Sequence, residues 1–231
     1  MICGVSSYTP GSVIMDTNNV ILSYHESLLR KSDVELLKGP CWLNDTVISF
    51  YFEYLEINKF KSDPMLLFVP PQVTQCIKVS PSNEIGIFLD PLNSHNKDFI
   101  FFALNDNEQT ECSGGSHWSL LVFSYPERAV YHYDSSRGSN QHQAYEFANK
   151  LFKFYGMIRH GNYNEPDCLQ QTNGYDCGVH VLCNTENIAN YALIKRRIEG
   201  CPTLDRHNVS SKRNEILDLI HILRRNSMNN K

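Results

Sequence analysis

Four residues of this chain could together hydrolyse an acyl bond. Cys177 offers a thiol, His117 an imidazole, Asp134 a carboxylate and Gln171 a primary amide. A thiol activated by an imidazole, which a carboxylate orients, attacks carbonyl carbons, and an amide N–H can stabilise the oxyanion that forms. These residue types therefore indicate a cysteine hydrolase.

The residues around Cys177 predict that it lies in the first turn of a helix. An Asn-Gly turn signal precedes it, and apolar residues recur at helical spacing over 179–188. Asp176 is a good N-cap residue. The unpaired amides and the positive end of the helix dipole would favour a thiolate at Cys177. The alternative is a buried, inert cysteine, an interpretation that suits Cys183 in mid-helix better.

His117 and Asp134 lie at the ends of a predicted β-hairpin. One strand reads from His117 to Phe123 and the other from Arg128 to Asp134, with a four-residue turn between them. If Phe123 faces Arg128, His117 faces Asp134, and facing Cβ atoms lie about 4.5–5.5 Å apart. The alternative is that His117 only begins a strand and Asp134 only opens a turn. Their pairing in a chain with an activated cysteine favours the catalytic interpretation.

Composition excludes several classes of protein. The 231 residues are 42% hydrophobic and 20% charged, which suits one domain with a sizeable core. The net charge is −4, so the excess of basic residues that marks nucleic-acid binding is missing. No apolar run reaches the ~18 residues of a membrane span. We therefore expect neither nucleic acid nor membrane as a partner.

The cysteines and histidines point to free thiols and to no metal or cofactor. The eight cysteines are scattered along a chain too long to need disulfides, no CxxC pair occurs, and the nine histidines show no metal-ligand spacing. Residues Met1–Val20 lack the cationic start of a secretory signal. These features predict a reducing, intracellular location in the cytoplasm, the nucleus or both.

The remaining pattern predicts one α+β domain after a short extension. Residues 1–19 show no sustained period, so we expect a flexible N-terminal extension there and a folded domain over 20–231. Apolar residues at helical spacing predict a helix from Asp45 to Lys59, capped by Asn44 or Asp45. The other expected elements are a helix begun by the capping box Ser32–Glu35, helices over 139–155 and 209–225, and strands over 65–69 and 99–104.

The polar segment Asp106–Ser116 ends in two glycines just before His117. Its position suits a mobile loop that contacts substrate, and its composition equally suits a solvated connection. Both interpretations stand at this level.

The chain resembles the Ulp/SENP family of cysteine peptidases, which process ubiquitin-like modifiers. The matching residues are His117-Trp118, Asp134, Gln171 six residues before the cysteine, Asp176-Cys177-Gly178, and Trp42-Leu43-Asn44-Asp45, which matches the family's WLND motif. Further segments, among them Leu104–Asn107 and Gly114–Val122, resemble the deneddylating branch, which acts on the Nedd/Rub modifier. The resemblance begins near Val20 and implies a single Ulp-like catalytic domain with a papain-related fold, in which helices flank a central, mostly antiparallel sheet.

The resemblance also implies a role for each polar residue of the site. Cys177 would be the nucleophile, His117 its proton partner, Asp134 the group that orients His117, and Gln171 an oxyanion donor.

The same resemblance implies a narrow tunnel for a Gly-Gly tail, lined by Trp42 and Trp118. Strict strand alternation sends Trp118 to the face opposite His117, so the strand must begin or twist there for Trp118 to reach the cleft. Trp42 could instead anchor the core, and Asp45 could either bind the tail or only cap its helix.

We therefore expect a monomeric protease and isopeptidase that cleaves after the C-terminal Gly-Gly of the Nedd/Rub modifier, in precursors and in conjugates. One alternative is a SUMO-specific protease. A second is a Ulp-like acetyltransferase, for which the sequence offers no basic, glycine-rich cradle for acyl-CoA. A third is a module that binds modifiers without cleaving them, although such proteins typically lose a catalytic residue.

Overall fold

The computed structural model describes residues 19–109 and 114–229. Within these ranges the strands are β1 (Val20–Tyr24), β2 (Ser27–Arg30), β3 (Leu66–Val69), β4 (Phe99–Asn105), β5 (Trp118–Ser124), β6 (Ala129–Tyr133) and β7 (Asn162–Asn164). The α-helices are α1 (Lys31–Leu36), α2 (Asp45–Tyr54), α3 (Pro71–Val79), α4 (Gly86–Leu89), α5 (Gln141–Phe154), α6 (Cys177–Lys195) and α7 (Arg206–Asn229). The predicted N-terminal extension, 1–19, lies almost wholly outside the described residues.

A five-stranded sheet in the order β3-β4-β5-β6-β7 forms the centre of the domain, and β1 and β2 form a separate hairpin. The strands β4, β5 and β6 run antiparallel, whereas β3 and β7 are added at the edges parallel to their neighbours. Most residue pairs of the sheet belong to the antiparallel strands. The predicted α+β fold, with a central sheet flanked by helices, is confirmed.

Helices cover both faces of the sheet, which explains why its middle strands are almost wholly apolar. Along β4, Phe99, Phe101 and Ala103 pack into the core that includes α2, α6 and α7. The alternating residues Ile100, Phe102 and Leu104 pack into the opposite core with α3 and α5. The sheet is thereby a rigid support for residues at its strand ends.

The predicted register of the β5–β6 hairpin is wrong by two residues. Phe123 faces Val130 rather than Arg128, because Arg128 belongs to the turn and has a left-handed φ of 52°. A shift of two residues preserves which side chains share a face, whereas a shift of one reverses them. His117 and Asp134 therefore still lie on the same face.

Several helix bounds differ from the sequence prediction. The first helix begins at Lys31, and its capping box pairs Arg30 with Asp33 rather than Ser32 with Glu35. The next helix is capped by Asn44, whose side chain accepts from the Val47 amide at 3.0 Å, and it continues beyond Tyr54 as a π-helix over Leu55–Lys59. Helix α5 is slightly shorter and α7 slightly longer than expected. Among the described residues, no helix is long and apolar enough to cross a membrane.

Candidate active site

Cys177 is the first residue of α6, as its sequence context predicts, and its side chain is buried. The prediction for Asp176 is only half right. It occupies the N-cap position, but its carboxylate makes no capping hydrogen bond to α6. The carboxylate accepts instead from Asn173 Nδ2 at 2.7 Å and from the guanidinium of Arg213 at 2.8 and 3.0 Å.

Gly178 lets α6 approach the Trp42 segment closely. A Cβ atom at this position would lie 3.0 Å from the Cβ of Leu43, closer than side chains normally pack. A side chain after Cys177 would therefore push Leu43 away, and the Cys177 turn lies directly against the segment that carries Trp42.

His117 and Asp134 form the hydrogen-bonded pair that the hairpin argument predicts. His117 Nε2 lies 2.6 Å from Asp134 Oδ1, and both side chains are buried. His117 directly precedes β5, and Asp134 directly follows β6. The two residues thus meet at one end of the antiparallel pair, although they are not register partners.

Three donors hold the Asp134 carboxylate in place. Besides His117, the backbone amides of Ser136 and Asn140 donate to Oδ1 at 2.9 Å and to Oδ2 at 3.1 Å. Burial disfavours the charged carboxylate, but these hydrogen bonds outweigh it and lower the pKa of Asp134. The group is therefore ionised at neutral pH and has a fixed orientation.

The His117 ring also interacts electrostatically with the side chain of Cys177. Burial alone would lower the pKa of His117, but the hydrogen bonds and charges of Asp134 and Cys177 outweigh it and raise that pKa to about 9. The imidazole is therefore a cation at neutral pH, and it can hold a thiolate as an ion pair.

Asp106, at the end of β4, clamps the backbone just before the β5 strand. Its carboxylate accepts from the amide and hydroxyl of Ser116 at 2.7 and 2.6 Å and from the amide of His117 at 3.1 Å. Gly115 has a φ of 96°, and a Cβ there would lie 1.9 Å from Asn105 Oδ1. In the sequence Asp106 is only the first residue of a polar loop, because its partners become visible only once β4 and β5 are paired.

Gln171 lies between the Asp134 strand end and the Cys177 loop. Its backbone amide donates to the Ser135 carbonyl at 2.9 Å, and its side-chain oxygen accepts from the Ser135 hydroxyl at 2.8 Å. Its side-chain nitrogen donates to the Asn173 carbonyl at 2.7 Å. The neighbouring Gln170 donates to the Asp134 carbonyl at 3.0 Å. The two glutamines therefore occupy different places.

A cleft of about 520 Å³ opens beside His117. Trp42, Asp45 and Trp118 line it, and the Trp118 indole donates to the Leu43 carbonyl at 2.9 Å. The strand β5 begins at Trp118 itself, which removes the conflict with strict alternation and allows both Trp118 and His117 to border the cleft.

Trp42 is not a core anchor. The residue is 44% exposed and borders the cleft, and its indole donates to the carbonyl of Gly174 in the Cys177 loop. Asp45 is not the cap of α2, since Asn44 has that role. The Asp45 carboxylate accepts from Gln72 Nε2 of α3 at 3.1 Å, on the wall of the cleft.

The six described cysteines, Cys41, Cys76, Cys168, Cys177, Cys183 and Cys201, are free thiols. Within 19–109 and 114–229, the side chains form no group of three or more residues that could hold a metal ion.

The chain is similar to known proteases over most of its length. Residues 89–225 match the model of the Ulp1 protease family, C-terminal catalytic domain. Sentrin-specific protease 8 of Homo sapiens is 42% identical over 209 residues, which is 88% of this chain and 97% of that protein. NEDD8-specific protease 1 of Arabidopsis thaliana is 37% identical over 74% of this chain and 76% of that protein.

Solved structures carry the same fold. The C-terminal Ulp1 protease domain, determined in complex with Smt3, the yeast ortholog of SUMO, superposes with a TM-score of 0.70. The superposition covers 89% of this chain and 88% of that domain, at 21% sequence identity. At that identity the likeness concerns the fold alone.

Proposed function

The chain belongs to the Ulp1 protease family, and we propose that its cleft hydrolyses the bond after the C-terminal Gly-Gly of a ubiquitin-like modifier, by preference the Nedd/Rub modifier. The observation that carries this proposal is the buried His117–Asp134 pair, whose imidazole also interacts with Cys177 at the start of α6. The geometry supports a cysteine peptidase mechanism.

In this mechanism the Cys177 thiolate attacks the carbonyl carbon of the last glycine. The carbonyl π electrons move to oxygen, and a tetrahedral oxyanion forms. His117, held as a cation by Asp134, donates its proton to the leaving amine nitrogen as the C–N bond breaks. The thioester that remains is hydrolysed by water, whose proton passes to the now neutral His117, and the departing thiolate restores the starting ion pair.

Gln171 and the backbone amide of Cys177 are the proposed oxyanion donors. The Gln171 nitrogen already donates one hydrogen to the Asn173 carbonyl, and a primary amide has a second N–H to offer. The Cys177 amide is among the unpaired N–H groups of the first turn of α6. Both donors belong to the loop and helix start around the nucleophile.

We expect Gln171→Ala to lower kcat by roughly 10²–10³-fold, the usual effect of removing one oxyanion donor. The measurement is steady-state hydrolysis of a modifier–coumarin conjugate, normalised to titrated active sites. Gln170→Ala is the matched comparison and should lose less, because the Gln170 side chain bonds the carbonyls of Asp134 and Cys168 and the amide of Arg137. If Gln170→Ala proved the more damaging change, the oxyanion role of Gln171 would be refuted.

The proposed tail site is the part of the cleft between the two tryptophans. Trp42 and Trp118 flank it, and both indoles are fixed by hydrogen bonds to backbone carbonyls. A channel between two fixed rings suits glycines and excludes larger side chains. Asp45, on the same wall, could accept a hydrogen bond from a backbone amide of the tail.

The Nedd/Rub preference rests on the relatives. Sentrin-specific protease 8 matches almost over its full length, and the Arabidopsis protein is named a NEDD8-specific protease. The second candidate is a SUMO protease, the alternative that membership of the family leaves open. Catalytic residues do not distinguish the two, so selectivity must arise from contacts with the modifier body and with the tail before Gly-Gly.

We further propose that residues 20–231 are the catalytic domain, that the enzyme acts as a monomer, and that it works in the cytoplasm, the nucleus or both. The wide scatter of the cysteines along a chain of this length supports a reducing compartment.

We expect kcat/KM to be highest for a Nedd/Rub–coumarin conjugate, lower for SUMO and lower by at least about 10²-fold for ubiquitin, because one clashing side chain in a tail site can cost several kcal/mol. The measurement is side-by-side kinetics on the three conjugates, with a short Gly-Gly peptide conjugate as the control for chemistry alone. Equal or faster cleavage of SUMO would refute the preference, and turnover of acetyl-CoA without peptidase activity would refute the reaction.

A further inference from the structure

Arg213, in the first half of α7, reaches away from its helix and binds the chain at four places. Its guanidinium donates to Asp176 Oδ1 at 2.8 and 3.0 Å, to the carbonyls of Leu36 and Cys41 at 2.7 and 2.8 Å, and to the carbonyl of Tyr175 at 3.3 Å. The Tyr175 ring lies 5.7 Å from the guanidinium carbon. Only 14% of the Arg213 side chain is exposed.

These contacts join the two segments that border the proposed nucleophile. Asp176 and Tyr175 directly precede Cys177, and Cys41 directly precedes Trp42. Both segments lack regular secondary structure at these points. A planar guanidinium with five fixed N–H donors can hold several acceptors at defined angles, which an ammonium cannot do.

A second set of contacts ties the same loop together from the other side. Asn173 Nδ2 donates to Asp176 Oδ2 at 2.7 Å. Asn173 Oδ1 accepts from the amides of Tyr175 and Asp176, each at 3.0 Å. The Trp42 indole donates to the Gly174 carbonyl. The loop is thus held internally by Asn173 and externally by Trp42 and Arg213.

Arg213 also balances a charge beside the nucleophile. The Asp176 carboxylate is only 21% exposed and adjoins Cys177, where a negative charge opposes thiolate formation. Two other ionisable groups of α6 interact with Asp176, and burial keeps both uncharged by lowering the pKa of His180 and raising that of Cys183. His117, just before β5, interacts with Cys177 itself. Arg213 is the cation that hydrogen-bonds Asp176 and offsets its charge.

We propose that Arg213 is a positioning residue for catalysis, which fixes the Cys177 loop against the Trp42 segment and offsets the charge of Asp176. This inference rests on the proposed function, because it assumes that Cys177 is the nucleophile. Helix α7 contributes no residue to the cleft wall. Through Arg213, however, it holds the nucleophile at a fixed position relative to the tail site.

The test compares Arg213→Lys and Arg213→Met with the matched control Arg225→Met, an exposed arginine of the same helix. We expect Arg213→Met to lower kcat per titrated active site by about 10- to 100-fold with little change in KM, since small misplacements of a reacting group cost this much. Its acidic limb of kcat/KM against pH should move up by about one pH unit, because Asp176 is left unpaired. Arg225→Met should match the wild type.

Two further variants separate geometry from charge. Arg213→Lys keeps the cation but not the planar fork, so kcat should fall while the acidic limb stays in place. Asp176→Asn combined with Arg213→Met removes the unpaired charge, so the limb should return towards the wild-type position while kcat stays low. A merely structural role would lower the melting temperature and the titrated fraction without moving kcat per site or the limb.

Turnover per active site at the wild-type level in Arg213→Lys and Arg213→Met, with an unmoved acidic limb, would overturn the inference and leave the proposed function intact. If Arg213→Met does not fold, wild-type turnover by Arg213→Lys alone overturns it. A wild-type enzyme that is inert towards modifier conjugates, or is labelled on a cysteine other than Cys177, would overturn the proposed function and this inference with it.

Discussion

Cys177→Ala abolishes hydrolysis of modifier conjugates and covalent labelling by a modifier vinyl-sulfone probe, while modifier binding survives. Alanine removes the only atom that forms the thioester, whereas the tail site is built from Trp42, Trp118 and Asp45. The side chain lost is small, and the helix start at Asp176 keeps its contact with Arg213. Residual turnover should lie below detection, and calorimetry should show a dissociation constant close to that of the wild type.

The matched control is Cys183→Ala, in the same helix and also buried. Burial raises the pKa of Cys183 to about 12, so this thiol is protonated and inert at neutral pH. Cys183→Ala should therefore keep full labelling by the probe. Labelling that persisted in Cys177→Ala, on Cys183 or on Cys168, would show that the nucleophile has been misassigned.

The parts of the site that sequence could predict are those with local signals. The helix start at Cys177 follows from a turn signal and an apolar period, and the His117–Asp134 pairing follows from hairpin arithmetic. That arithmetic placed the register two residues away from the observed one, yet the inference held because strand faces repeat every two residues. An argument about which face of the strand a residue occupies is unaffected by a shift of two residues, whereas an argument from the distance between directly facing residues is not.

The parts that sequence missed depend on contacts between distant segments. Arg213 and Asp176 are 37 positions apart, and Arg213 and Leu36 are 177 positions apart. No periodicity encodes such pairs, since they arise only once α7 packs beside α6. The Asp106 clamp depends in the same way on the pairing of β4 with β5.

The sequence could not decide whether Asn44 or Asp45 caps the helix, although the two residues are adjacent. Both are good N-cap residues, and they are adjacent. The side chain of Asn44 also donates to Asp33 at 2.8 Å, a contact across eleven positions that fixes its orientation. That tertiary contact leaves Asp45 free to face the cleft, which local propensity could not have indicated.

Asp134→Asn should lower kcat by about 10³–10⁴-fold while the hairpin stays folded, because the neutral amide no longer stabilises the charged form of His117. With its oxygen in the place of Oδ1, the asparagine still accepts from His117 and Ser136, but its NH₂ group would face the Asn140 amide, which donates to Oδ2 in the wild type. One lost buried hydrogen bond costs about 1–3 kcal/mol of unfolding free energy, so a lower melting temperature is expected as well. Circular dichroism and active-site titration separate this loss from the loss of turnover.

The pH profile of Asp134→Asn gives the sharper test. In the wild type, hydrogen bonds and charges of Asp134 and Cys177 overcome the effect of burial and raise the pKa of His117 to about 9. Activity that needs the imidazolium is therefore complete well below that pH and is lost as the pH rises through about 9. Without the Asp134 carboxylate, less opposes the effect of burial on the imidazole, so the pKa of His117 falls. The alkaline limb of kcat/KM must therefore move to lower pH.

The matched control is Asp167→Asn, a change at an exposed acid in the neighbouring loop, which should leave the alkaline limb in place. Near wild-type turnover in Asp134→Asn, or an unmoved alkaline limb, would mean that Asp134 does not act on His117 during catalysis.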